Sequence, residues 1–241
     1  SMPQTHDAVG NLTNNGAGLA LGYNGMNRVA NVNGVLSFYD QNGQRVKKGA
    51  ILYVRGEDGL PMGEYDAAGK AVQETVRLDG APVAVLYGDN KPYVVHPDYR
   101  AAPFIVRRAD GAMVWGWQGN GAWADVPPLH YQTVLQGLFN ETDRLPGQSF
   151  DHVTGLSNTG ARDYNPSTGR FIQVDPILQL DGLSPYAYAN NDPVGFVDVD
   201  GRTADPISYA GGMTSSQIEQ AYRQAAKEYG QYQARIYAAQ H

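Results

Sequence analysis

One short phrase recurs along the chain: an aromatic residue or His, an Asp or Asn, two variable residues, a Gly or Asn, then a polar and an apolar residue. It reads "HDAVGNL" from His6, "YNGMNRV" from Tyr23, "YDQNGQRV" from Tyr39 and "YDAAGKAV" from Tyr65, with a degenerate copy, "RADGAMV", from Arg108. Asp followed closely by Gly is a strong short-range hairpin signal, because Gly accepts the positive φ that a tight turn needs. The runs between the copies, among them "LSFY", "ILYVRG", "ETVRL", "PVAVLYG" and "KPYVVH", are β-branched and aromatic and suit strands. A turn repeated at hairpin spacing leaves little choice of architecture. The first two thirds of the chain are expected to be a serial antiparallel sheet, and the fold class to be mainly β.

Composition agrees. At 241 residues with 42% apolar side chains the chain can bury a sizeable core, while only 17% are charged and Gly (29) and Tyr (16) are abundant. The net charge of −6 argues against a nucleic-acid surface, and the basic clusters 45–48 and Arg107-Arg108 are too short to follow a phosphate backbone. There is no Cys, so no disulfide and no thiolate site. His6, His96, His130, His152 and His241 lack metal-ligand spacing, and "DVDG" from Asp198 lacks the further ligands of a calcium loop. No cofactor fingerprint is present, so no cofactor and no metal are expected. No apolar window is long enough for a membrane span, and the N-terminus lacks the basic and apolar regions of a signal peptide. Ser1-Met2 reads as an addition ahead of the natural chain, which is then expected to begin upstream.

The chain divides into a hairpin region over 1–150, a turn-rich segment over 151–201, and a linker and helix over 202–241. In the last part Ile218, Ala221, Tyr222, Ala225, Tyr229, Tyr232 and Ile236 recur at helical spacing, capped by Thr214 or Ser215, and predict a helix over 215–239 that docks on the β part. Trp115, Trp117 and Trp123 fall among glycines and prolines, where they serve either as edge packing or as a platform for stacking sugars.

The middle segment carries "DYNPSTGRFIQVDPI" from Asp163, a turn through Pro166 and Gly169 followed by a strand-like run and an acid. Together with the recurring phrase, "HPDYRAAPFIVRRADGAMVWGW", "LPGQSFDHVTGL" and "SPYAYANNDPVGFVDVDG", it resembles the C-terminal end of Rhs/YD-repeat proteins, in order from about His6 to Gly201. That family includes bacterial polymorphic toxins, the C component of insecticidal toxin complexes, and teneurins. The resemblance implies a β-shell wound from hairpins, plugged in the toxins by a core segment and followed by a variable toxin. It also implies delivery by a bacterial secretion system, with an upstream shell, a toxin segment, a secretion apparatus and an immunity protein as partners.

The core of bacterial members carries an Arg and two Asp that resemble an aspartyl protease acting once, in cis. On the matching positions these are Arg170, Asp175 and Asp198, and the bond cut would be Arg202–Thr203. Two carboxylates brought close cannot both ionise easily, so one can act as acid while the other activates water. The copies depart from the family pattern: Leu178 and Gln179 replace Gly and Leu in the first, and Val199 and Arg202 replace Pro and Leu in the second. A pocket shaped for Leu rejects a guanidinium unless a partner charge is supplied, so the bond is expected to stay mostly intact.

Three readings stand at this point: a shell and encapsulation part, a self-processing peptidase, and an orphan fragment binding partners or glycans through its tryptophans. So few hairpins are not expected to close a cage. An apolar inner surface left open would favour self-association.

Overall fold

A computed structural model describes residues 3–88, 91–131, 133–134, 137–177 and 184–207. The helix expected over 215–239 lies outside the described residues, as do Leu178 and Gln179.

A small hairpin, β1 (Thr5–His6) and β2 (Leu12–Asn14), precedes the main sheet. The sheet then runs through β3 (Leu21–Tyr23), β4 (Val29–Val32), β5 (Val35–Tyr39), β6 (Arg45–Lys48), β7 (Ile51–Arg55), β8 (Pro61–Tyr65), β9 (Ala71–Leu78), β10 (Ala81–Tyr87), β11 (Lys91–Pro97), β12 (Pro103–Arg107), β13 (Met113–Gly116) and β14 (Leu129–His130). These twelve strands pair strictly in chain order, each antiparallel to the last, with β3 and β14 at the two edges. The serial antiparallel sheet read from the repeats is therefore present. Beyond the pair β15 (Thr133–Val134) and β16 (Gly137–Leu138), a second sheet of four strands follows: β17 (Ser149–Asp151), β18 (Leu156–Asn158), β19 (Asp163–Asn165) and β20 (Arg170–Phe171). The last pair is β21 (Phe196–Val197) with β22 (Asp205–Pro206).

The recurring phrase builds each turn in the same way. At Asp66 the carboxylate accepts the amides of Ala68 and Lys70, both at 2.9 Å, while Gly69 donates to the Asp66 carbonyl at φ +79°. Asp7, Asn24, Asp40 and Asp98 repeat this pattern, with Gly10, Asn27, Gly43 and Ala101 at positive φ. The aromatic residue has its own task. Tyr23 donates to the Leu12 carbonyl at 2.6 Å and Tyr39 to that of Val29 at 2.7 Å, tying these two turns to the repeat before them. Burial pushes both phenols far above their ordinary range, so they remain donors.

The inner face of the large sheet has two halves. Over β10–β13 it is apolar: Val85, Tyr93, Val95, Val106 and Trp115 pack with Phe139, Leu145, Tyr164, Phe171 and Tyr188. Over β5–β9 it is polar and meets the core segment through charged contacts. Lys48 pairs with Asp151 and Arg77 with Asp143, Arg55 donates to the carbonyls of Gly147 at 2.9 Å and Asn158 at 2.8 Å, and Gln73 donates to Glu141 at 2.7 Å. The expected open apolar interior is thus corrected, because the core segment covers this face and half of it is charged. The large apolar side chains that remain exposed on β5–β8 are Val35, Leu36, Phe38, Val46, Val54 and Met62. Strand alternation puts Leu36 and Phe38 opposite buried Ser37, on the outer face.

Candidate active site

The turn joining β18 to β19 delivers Arg162 into the interior. Arg162 and Tyr164, two residues on, are both buried. Its Nη2 lies 3.0 Å from Asp198 Oδ2 and its Nη1 3.2 Å from Asp175 Oδ2. Nε donates to the Gly201 carbonyl at 2.7 Å, and the planar group lies 3.7 Å over the Phe171 ring. One guanidinium therefore grips both carboxylates named from the sequence, together with the backbone just before residue 202.

Asp175 follows the β20 run, where its amide donates to Pro185 O at 3.0 Å and its Oδ1 accepts the amide of Ile177 at 2.8 Å. Asp198 follows β21 and is buried, its Oδ1 accepting the Arg202 amide at 3.0 Å. Burial is the main reason its carboxyl is pushed up to about 7; Arg162 opposes the shift and Asp200 adds to it. Near neutral pH this acid is poised to give or take a proton. The arrangement brings together two carboxyl groups and a fixed cation, the groups that acid–base chemistry uses.

Two glycines make the close approach possible. A Cβ on Gly147 would lie 1.9 Å from the Val199 carbonyl oxygen, and one on Gly201, at φ +74°, would lie 2.4 Å from Thr159 Oγ1. The chain from Asp198 to Arg202 consequently threads a slot that admits no side chain at either point.

Arg170, the arginine matched from the sequence, is elsewhere. Its side chain is exposed beside Gln4, His6, Asn165 and Tyr186 and, among the described residues, pairs with no carboxylate. Within β20 Arg170 is exposed and Phe171 is buried, so the two point to opposite faces. Arg162 stands where Arg170 was expected. The sequence signal for it was the alternation Arg162–Tyr164 within "RDYN", which has meaning only once Tyr164 is known to point inward.

Trp115 and Trp117 present no face to a sugar: both are buried, with the Arg144 guanidinium 5.7 and 5.2 Å from their rings. Trp123 packs against Gly169, and its carbonyl accepts the Tyr164 hydroxyl at 2.6 Å. The glycan platform is corrected accordingly, since the indoles are spent on the core. Among the described residues no helix is long and apolar enough to cross a membrane.

No family model matches the chain. The chain is 28% identical over 227 residues to tRNA nuclease WapA of Bacillus subtilis, covering 74% of this chain and 10% of the relative. It is 38% identical over 103 residues to double-stranded DNA deaminase toxin A of Burkholderia cenocepacia, covering 43% and 7%. In structure it is similar to a chain of the Photorhabdus luminescens Tc holotoxin pore, with a TM-score of 0.59 at 19% identity, covering 88% of this chain and 11% of that one. The chain thus spans about a tenth of the length of these proteins and shares the fold of the matching part of the holotoxin chain.

Proposed function

We propose that this chain is the C-terminal part of an Rhs-type toxin shell, in which the serial sheet is wall, the core segment is plug, and residues beyond the core lead to a toxin segment. Partial likeness to a tRNA nuclease, a deaminase toxin and a holotoxin chain supports that reading. Its partners are then the upstream shell and the toxin, with a secretion apparatus and an immunity protein, and its place is outside the producing cell after delivery. We also assign the core a single-turnover peptidase activity in cis, carried by Asp175 and Asp198 with Arg162 as their cation. Arg170, matched by sequence, is left on the rim.

The observation that carries the peptidase reading is the grip of Arg162 on both carboxylates and on the Gly201 carbonyl, where the chain leaves the core. In the step proposed, water attacks the Arg202 carbonyl carbon, the C–N bond to Thr203 breaks, and the Thr203 nitrogen takes up a proton. One water is consumed and nothing is oxidised or reduced. Asp198, whose carboxyl is pushed up to about 7 by burial, supplies the proton, and Asp175 takes one from water. Intact-mass analysis over a long incubation tests this. The parent should slowly lose the 203–241 piece and the Asp198→Asn chain should not. A parent that stays whole refutes the catalysis and leaves the shell reading standing.

A further inference from the structure

Arg202 stands where the family pattern has an apolar residue, and the structure supplies its side chain with two acceptors. Nη1 lies 3.4 Å from Asp200 Oδ2, and Nη2 lies 3.4 Å from the Asn42 carbonyl. The backbone is held at the same point: the Arg202 amide donates to Asp200 Oδ1 at 2.9 Å and the Thr203 amide to that oxygen at 3.4 Å. Asp200 is itself fixed, its carbonyl accepting the Ala161 amide at 2.9 Å. One carboxylate therefore contacts the side chain of residue 202 and the amide nitrogen of the bond that follows it. Asn42 belongs to the β5–β6 turn closed by Asp40, so the second acceptor comes from the wall.

We propose that Asp200 and the Asn42 carbonyl form a subsite that selects a basic side chain at position 202, so that Arg202 is the matched residue for processing. This rests on the peptidase reading above. A guanidinium in an apolar pocket would be a misfit, but Asp200 is the partner charge that removes the objection. Two cations face the subsite and temper it. Arg28, held by the carbonyls of Gly43 at 3.2 Å and Met26 at 3.1 Å, feels the charge of Arg202, and Arg162 lies beyond Gly201. The Arg202 and Asp200 side chains are 40% and 44% exposed, so solvent screens the pair. The preference is correspondingly modest, about two- to fivefold in rate. The bond broken and the atoms transferred are those given above: one water in, the Arg202 carboxyl and the Thr203 amine out.

The test is a time course of intact mass on the full chain, with Asp198→Asn as the zero. Arg202→Lys should process within about twofold of the parent, and Arg202→Leu and Asp200→Asn about two- to fivefold more slowly. The double variant Asp200→Leu with Arg202→Leu should outpace Arg202→Leu alone. Because Asp200 also acts on Asp198, each rate is followed against pH. For the variants at 202 the midpoint should stay in place while the rate changes. Folding of each variant is checked by its urea midpoint, and position 202 is exposed enough for Lys and Leu to be tolerated. Processing of Arg202→Leu at or above the parent rate overturns the subsite and leaves the peptidase reading intact. Equal persistence of the parent and Asp198→Asn overturns both.

Discussion

Replacing Arg162 with Met keeps an unbranched side chain but removes the guanidinium from between Asp175 and Asp198 and from the Gly201 carbonyl. The Arg162 and Asp198 side chains are each 2% exposed, and that of Asp175 is 13% exposed. Removing one partner of a buried pair costs about 3–5 kcal/mol, because it strands the other charge away from water. Losing the hydrogen bond to Gly201 O contributes about 1 kcal/mol, partly overlapping with the first term. A loss of about 4 kcal/mol would be a large share of the roughly 5–15 kcal/mol that holds a folded protein together. Adding Asp198→Asn should return about 1–2 kcal/mol, since the amide carries no charge to strand. Arg170→Met, on the exposed rim, should change stability by no more than about 0.5 kcal/mol. Urea unfolding at pH 7, followed by the fluorescence of buried Trp115 and Trp117, measures all three variants. A loss below about 1 kcal/mol for Arg162→Met, or an equal loss for Arg170→Met, would refute the claim that Arg162 is the central cation.

Glu141, pushed up to about 8 chiefly by burial and next by the nearby Asp143 carboxylate, binds a proton in the folded chain that it releases near 4.5 when unfolded. Its contribution to stability is full below about 4.5 and is lost as pH rises through about 8, so Glu141→Gln should lose less stability than the parent between pH 5 and pH 9, as read from urea midpoints. Processing, if carried by protonated Asp198, should fall as pH rises through about 7, and a rate flat from pH 5 to pH 9 would remove Asp198 as the acid. Ala101 holds a turn at φ +61°, so Ala101→Gly should be neutral or stabilising by up to about 1 kcal/mol in thermal unfolding. Asp66→Ala removes the acceptor of two turn amides and should cost about 1 kcal/mol in the same assay.

The sequence determined the turns and, through them, the wall. Each Asp or Asn of the recurring phrase bonds to amides within the next four residues, so turn geometry is local and can be read from the chain alone. Serial hairpins then leave strictly sequential pairing as the simplest sheet. As candidates, Asp175 and Asp198 were also legible, because the resemblance gave their places in order. Which arginine joins them was not. Arg170 and Arg162 both flank the core turns, and the choice depends on which of Tyr164 and Phe171 each one shares a face with. β19 pairs with β20 as Tyr164 opposite Phe171, and the fold leaves Arg162 buried and Arg170 exposed. The tryptophans and the sheet's inner face follow the same logic. Residue type allowed an open apolar interior and an exposed aromatic platform, whereas burial of Trp115 and the charged seam from Lys48 to Asp151 arise only when the core segment folds back across a sheet laid down a hundred residues earlier. Local hydrogen bonds are written in neighbouring residues; which side chains meet across such a separation is decided by strand register, and only the folded chain holds that information.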